Sequence, residues 1–167
     1  KGGAKARRKE ITVQLSARND DATMRILLYL PPAAQGPVPI FVGLNFFGNH
    51  TITPDPGITL STRWMRPSPE KGIRDNRATE ASRGTATSRW PVARILARRY
   101  GLATIYCGDL DPDYDDGFRN GVHALYPRDD RRGDAWGTIA AWAWGLSRAM
   151  DYFETDDDVD ARNVAVM

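Results

Sequence analysis

The sequence predicts an α/β domain: a mostly parallel sheet packed between helices, incomplete on its carboxyl side. Three observations carry this. From residue 40 onward, strand-like and helix-like runs alternate through short links, the pattern of parallel βαβ units. The runs at 40–44 (IFVGL) and 102–107 (LATIYC) are continuously apolar, as strands buried on both faces are. The chain closes on a long apolar helix and a short β-branched run at 163–167 (NVAVM). In an open α/β sheet the loops at the carboxyl ends of strands carry the chemistry, so the sequence halts where a site is expected to begin.

Taken in order, the chain begins with Lys1, Lys5, Arg7, Arg8 and Lys9, a basic leader over 1–9 expected to be solvated and poorly ordered. Residues 10–15 (EITVQL) alternate apolar and polar, and 24–30 (MRILLYL) form a second strand-like run. With Asn19, Asp20 and Asp21 between them as turn formers, the pair reads as an antiparallel hairpin. Prolines and a glycine punctuate 31–39 before the strand at 40–44. The turn Asn45-Phe46-Phe47-Gly48-Asn49-His50 follows. Periodicity is then lost over 51–88, which is read as an ordered loop excursion anchored by Trp64, Met65 and Ile73.

Trp90-Pro91-Val92 opens a helix that carries Val92, Ile95, Leu96 and Tyr100 on one side and is closed by Gly101. The strand at 102–107 runs into an acidic loop at 108–117. The last helix is expected from about Ala135 to Phe153, apolar nearly all round and therefore buried on more than one side. The strand at 163–167 is expected to pair with 40–44 on one side and with a strand this chain lacks on the other. The whole is a single partial domain, 1–167.

Composition narrows the function. A chain of 167 residues with ordinary apolar and charged fractions holds one core. The net charge of +2 hides a basic front and an acidic back, and neither cluster is long enough to imply a nucleic-acid partner. No window approaches the roughly 20 apolar residues of a membrane span. Cys107 is alone in an apolar run, which favours a buried, inert thiol. The chain starts on Lys1 rather than Met, so the lack of a secretory signal in it decides nothing.

Chemistry is selected mainly by elimination. Asp111, Asp113 and Asp115 alternate as calcium ligands do, but the sixth loop position is Asp116 rather than Gly and the twelfth is Val122 rather than Glu. No dinucleotide or phosphate-loop motif follows any strand, and one cysteine with His50 and His123 supplies no zinc site. Serine hydrolysis fits the organisation while lacking the residues. In an α/β-hydrolase the nucleophile follows a central strand, the acid and histidine come later, and the loop after the third strand builds part of the oxyanion hole. With the hairpin counted as strands one and two, residues 45–50 occupy that loop.

The runs FVGLNFFGNH (41–50), SRWPV (88–92), LATIYCGDLDPD (102–113), NGVH (120–123) and WGTIAAWAWGLSRAMDYFE (136–154) resemble the amino-terminal half of bacterial glucuronoyl esterases, carbohydrate esterase family 15. The resemblance spans roughly residues 25 to 167 and is most specific in the tryptophan-rich run. It implies an incomplete α/β-hydrolase three-layer sandwich, ending just before the nucleophile elbow. The implied reaction is cleavage, without a metal or other cofactor, of the ester between 4-O-methylglucuronic acid on glucuronoxylan and a lignin alcohol.

In that family a G-x-S-R-x-G-K elbow follows the strand resembling NVAVM. That elbow, the histidine and its acidic partner are not in this sequence, so no catalytic residue is carried over. The implied partners are the lignin-carbohydrate ester and a carboxyl-terminal half of the same protein, and the implied location is secreted or periplasmic. Asn45, Gly48, Asn49 and His50 match the loop beside the elbow, where shaping of the acyl pocket and plain turn chemistry both fit. Arg89 and Trp90 match the rim of the site, with a salt bridge to the acidic loop as the other role for Arg89. Trp142 and Trp144 are expected to pack inside. Two rival readings stand beside the esterase: a non-catalytic carbohydrate-binding or scaffolding module, and a calcium-dependent surface domain built on 109–116.

Overall fold

The computed structural model describes residues 6–19, 21–126 and 132–167. Five strands form one mixed sheet in the order β1-β2-β4-β3-β5. They are β1 (Arg7–Gln14), β2 (Thr23–Leu30), β3 (Val38–Asn45), β4 (Gly101–Tyr106) and β5 (Val159–Val166). Helix α1 (Val92–Leu96) links β3 to β4, and α2 (Thr138–Phe153) links β4 to β5.

The hairpin forms in antiparallel register from Arg7 opposite Leu30 to Gln14 opposite Thr23. Its first strand starts earlier than the expected leader allows. Lys1 and Lys5 lie outside the described residues, but Arg7, Arg8 and Lys9 belong to β1. Each finds a carboxylate distant in sequence: Arg7 pairs with Asp158 at 2.5 Å, Arg8 with Asp55 at 2.5 Å, and Lys9 with Asp156 at 2.6 Å. The charges that suggest a loose end are the ones that fix it.

Alternation along β2 sorts its side chains between two layers, because successive strand residues point to opposite faces. Ile26, Leu28 and Leu30 join Ile40, Val42, Ala103 and Ile105 beneath α2, whose buried row is Ala141, Gly145, Ala149 and Phe153. Leu27, Tyr29 and Leu102 face the other way, against Trp90 and Val92 at the start of α1. All positions of β4 are buried, consistent with its place at the centre of the sheet. This is the three-layer α/β-hydrolase sandwich in incomplete form. β3 runs parallel to both β4 and β5, with Val42 opposite Ala103 on one side and Val166 on the other. The far side of β5 has no strand partner among the described residues.

Both helices depart from expectation. α1 is a short helix with Pro91 at its N-cap, and the left-handed residue that ends the following turn is Arg99 (φ 64°) rather than Gly101. Gly101 begins β4, where a Cβ would lie 2.7 Å from Ile40 Cγ2. α2 starts at Thr138 and is fully buried along one row spaced by four, not on several sides. Ile139 is 73% exposed, and Ala140 and Ala143 are open as well. Gly145 lets the helix sit on Leu110, whose Cδ1 would lie 2.2 Å from an added Cβ. Among the described residues no helix is long and apolar enough to cross a membrane.

Candidate active-site cavity

β3 and β5 run parallel and end side by side, with the Met167 amide still donating to the Val42 carbonyl at 3.0 Å. Gly43 sets how closely they are joined. A Cβ there would lie 2.8 Å from the Met167 carbonyl and 3.0 Å from Trp90 Cη2, so the absent side chain admits both. Above this contact lies a cavity of about 300 Å³ whose wall includes Asn45, Phe46, Phe47, Thr51, Lys71, Ser88, Arg89, Trp90 and Met167. Carboxyl ends of parallel strands are where open α/β sheets place their ligands.

Of the residues singled out in the sequence, the structure brings Asn45, Arg89 and Trp90 to this cavity. Trp90 is buried, with its other contacts in the α1-side core. Arg89 is exposed and makes no ion pair with the acidic loop, so the salt bridge considered for it is not formed among the described residues. Asn45 is buried, and its Nδ2 donates to Asn49 Oδ1 at 2.7 Å and to Thr104 Oγ1 at 2.9 Å. Asn49 Nδ2 in turn donates to the Arg25 carbonyl at 2.9 Å. This chain of amides ties the turn after β3 to β4 and β2, and it engages both donors of Asn45.

Gly48, Asn49 and His50 do not line the cavity. Gly48 holds φ at 90°, where a side chain would be strained and its Cβ would meet His50 Cε1 at 2.6 Å. The glycine thus lets the imidazole fold beneath the turn, where it is fully buried. Ser82 Oγ donates to the Thr79 carbonyl at 2.5 Å, so in the 2.8 Å contact with His50 it is the imidazole Nε2–H that donates. Burial, with Arg83 nearby, depresses the His50 pKa to about 4. A neutral imidazole donating to an enclosed serine is not a general base, because the serine proton points away from it.

Lys71, Thr51 and Ser88 complete the cavity wall, and Lys71 was missed in the sequence. It lies in the aperiodic stretch, with its ammonium 5.0 Å from the Phe47 ring centre. Only a motif match could have flagged it.

The acidic loop disperses its carboxylates. Asp113 pairs with Arg66 at 3.3 Å, Asp115 accepts from the Gly117 amide at 3.1 Å, and Asp116 accepts from Phe118 and Asn120 amides. Asp109 is buried and accepts from the Arg25 amide at 3.0 Å, and burial raises its pKa to about 6. Asp111 is buried 3.8 Å from His123 Nε2, and that ring sits between Phe118 and Trp136. Among the described residues no three His, Cys, Asp or Glu side chains gather as a metal's ligand set. Burial pushes the Cys107 thiol up to about 12, which keeps it protonated. Trp142 donates its indole N–H to the Asp111 carbonyl at 3.0 Å and meets Phe46 edge to face, while Trp144 packs on Tyr126 and Arg148.

The sheet order, the two flanking layers and the cavity at the strand ends define part of an α/β-hydrolase fold. No protein-family model matches the chain. It is 49% identical over 169 residues to carbohydrate esterase MZ0003 of an unknown prokaryotic organism, across 99% of this chain and 39% of that protein. Two solved structures agree. A promiscuous CE15 esterase from a marine bacterial metagenome matches with TM-score 0.80 and 47% identity over 98% of this chain and 41% of the other. A glucuronoyl esterase from Solibacter usitatus matches with TM-score 0.83 and 45% identity over 96% and 41%. In sequence and in fold the chain is thus similar to CE15 esterases, and it spans about two fifths of the length of these relatives.

Proposed function

We propose that the chain is the amino-terminal part of a secreted or periplasmic serine esterase that cleaves 4-O-methylglucuronoyl esters linking glucuronoxylan to lignin alcohols. The observation that carries this is the cavity at the ends of β3 and β5, walled by the turn after β3, by Ser88, Arg89 and Trp90, and by Met167. The nucleophilic serine, its histidine and its acid are assigned to residues following Met167. The share of the relatives covered, 39% to 41%, leaves room for them. The chain is then the scaffold of the site and is inactive by itself.

In this arrangement the residues present bind and orient. The backbone amides of the Phe46–Phe47 turn supply the oxyanion contribution, since the Asn45 side chain already uses both its N–H groups within the protein. Asn45 is a positioning residue for that turn. Arg89 and Lys71 place two cationic donors at the cavity wall, where they can hydrogen-bond the carbonyl and hydroxyl oxygens of the uronoyl ester. Trp90 closes the wall against water. A binding module without catalysis is less well supported, because Trp136, Trp142 and Trp144 each engage an internal partner instead of forming an exposed row.

The test is hydrolysis of a benzyl ester of 4-O-methylglucuronate by the full-length parent and by the 167-residue chain. Alcohol release by the parent alone is expected, with an Arg89→Ala variant raising KM several-fold. Release by the isolated chain would overturn the placement of the triad, and a parent that leaves this ester intact would overturn the substrate.

A further inference from the structure

We propose that the cleft at the carboxyl end of β4, between Trp64, Tyr114 and the β1–β2 turn, is a saccharide-binding subsite separate from the cavity over β3 and β5. It encloses about 310 Å³ and shares no lining residue with that cavity. The assignment of a glycan rests on the esterase reading above, whereas the cleft and its chemistry do not.

Trp64 and Tyr114 form an aromatic corner, their ring centres 4.5 Å apart and their planes inclined by 51°. The corner is held in place: the Trp64 carbonyl accepts from Tyr106 Oη at 2.6 Å, and the Met65 amide donates to the Asn76 carbonyl at 3.0 Å. Tyr114 is 42% exposed, so ring surface remains open to a ligand. Polar groups converge from the other walls. Arg63 is fixed by the Asp21 carbonyl at 2.5 Å and lies 4.0 Å from the Asp109 carboxylate. Asn120 donates to Tyr114 Oη at 3.4 Å. The Asp21 carboxylate lines the cleft and makes no hydrogen bond or ion pair among the described residues.

A pyranose has an apolar C–H face and a rim of hydroxyls that both donate and accept. Rigid aromatic surface suits the face, while carboxylate, amide and guanidinium groups at fixed positions suit the rim. The sign of charge decides against an anionic ligand. The one cation of the lining, Arg63, is matched by Asp109, and Asp21 adds a second carboxylate, so a phosphate or uronate meets repulsion. A neutral stretch of glycan meets none. Because β4 neighbours β3 in parallel and both strands end on the same side of the sheet, a bound polymer can engage this cleft and the cavity together.

The test uses the full-length parent and xylohexaose, a neutral probe, followed by calorimetry and by quenching of tryptophan fluorescence. Trp64→Ala and Tyr114→Ala are each expected to weaken xylohexaose binding at least tenfold, with Trp64→Phe recovering most of it. Turnover of a small glucuronate ester without glycan should be unchanged in all three, while KM on a xylan-linked ester rises several-fold. An unmodified parent that does not bind xylohexaose, or alanine variants that bind it as well as the parent does, would overturn the subsite. A parent that binds xylohexaose through Trp64 and yet cleaves no glucuronoyl ester would sink the esterase reading and leave the subsite standing.

Discussion

The two edges of the sheet are built on opposite physical terms. At one edge, β1 is covered by charge on both faces. Lys9 reaches Asp156 and Asp158 at the turn after α2, while Arg8 pairs with Asp55 and Glu10 accepts from Thr59 on the opposite side. At the other edge, β5 carries Asp160, Arg162 and Asn163 in its first half but ends in Val164, Ala165 and Val166 before Met167, and Val166 is 71% exposed. Charge on an edge strand discourages pairing with another chain, and an open apolar edge invites it. One edge is therefore finished and the other is suited to receive a further strand.

The largest expected effect follows from that asymmetry. Expressed alone, the 167-residue chain is expected to aggregate or remain molten, and a co-expressed carboxyl-terminal half is expected to rescue it. Light scattering and sedimentation report both, and Val166→Lys should reduce aggregation of the isolated chain without the rescuing half. A sharp two-state melt of a monomeric isolated chain would contradict the account of the β5 edge.

Acid should separate the charged edge from the core in the full-length parent. His50 is buried neutral, its pKa lowered from 6.5 to about 4. Between those values the unfolded chain takes up a proton that the folded chain refuses. The His50 contribution is thus full above pH 6.5 and falls by on the order of 3 kcal/mol as pH drops to about 4. Buried Asp109, its pKa raised to about 6, adds stability by protonation over nearly the same range and offsets much of that loss. At Asp156, burial acts against ionisation, but hydrogen bonds from Lys9 and Tyr152 hold the pKa below the ordinary carboxylate value. Its contribution is present above that ordinary value and is lost on further acidification. Urea midpoints measured against pH should show the His50 step once Asp109→Asn removes the opposing group, and Asp156→Asn should remove only the lower step. The smallest effect belongs to the exposed Arg8–Asp55 pair: Arg8→Ala should cost about 1 kcal/mol or less in the same measurement.

How much of this is legible in the sequence depends on the range of the interaction. The hairpin and the strands at the sheet centre are local patterns of apolar residues, and they stand where periodicity puts them. The pairing of β5 with β3 follows from strand order in the fold class. The role of Arg7, Arg8 and Lys9 is not legible, because Lys9 and Asp156 are 147 positions apart and no local pattern joins them. The length of α2 is read within three residues at its start, but its burial is not, because composition does not say which side has a neighbour. Asn45, Arg89 and Trp90 are found through the motif on each side of the long loop. Lys71 and the partnership of Asn45 with Thr104 depend on how that loop and β4 come together.

Gly43 acts as a gauge block between β5 and Trp90. The carbonyl of Met167 and the edge of Trp90 rest against the space where its side chain is missing, and a single added methyl group would have to displace them by about 0.5 Å to restore ordinary contact. Catalytic groups are held to about that tolerance. In the proposed esterase, the residue that fixes where the nucleophile would stand has no side chain and touches no substrate.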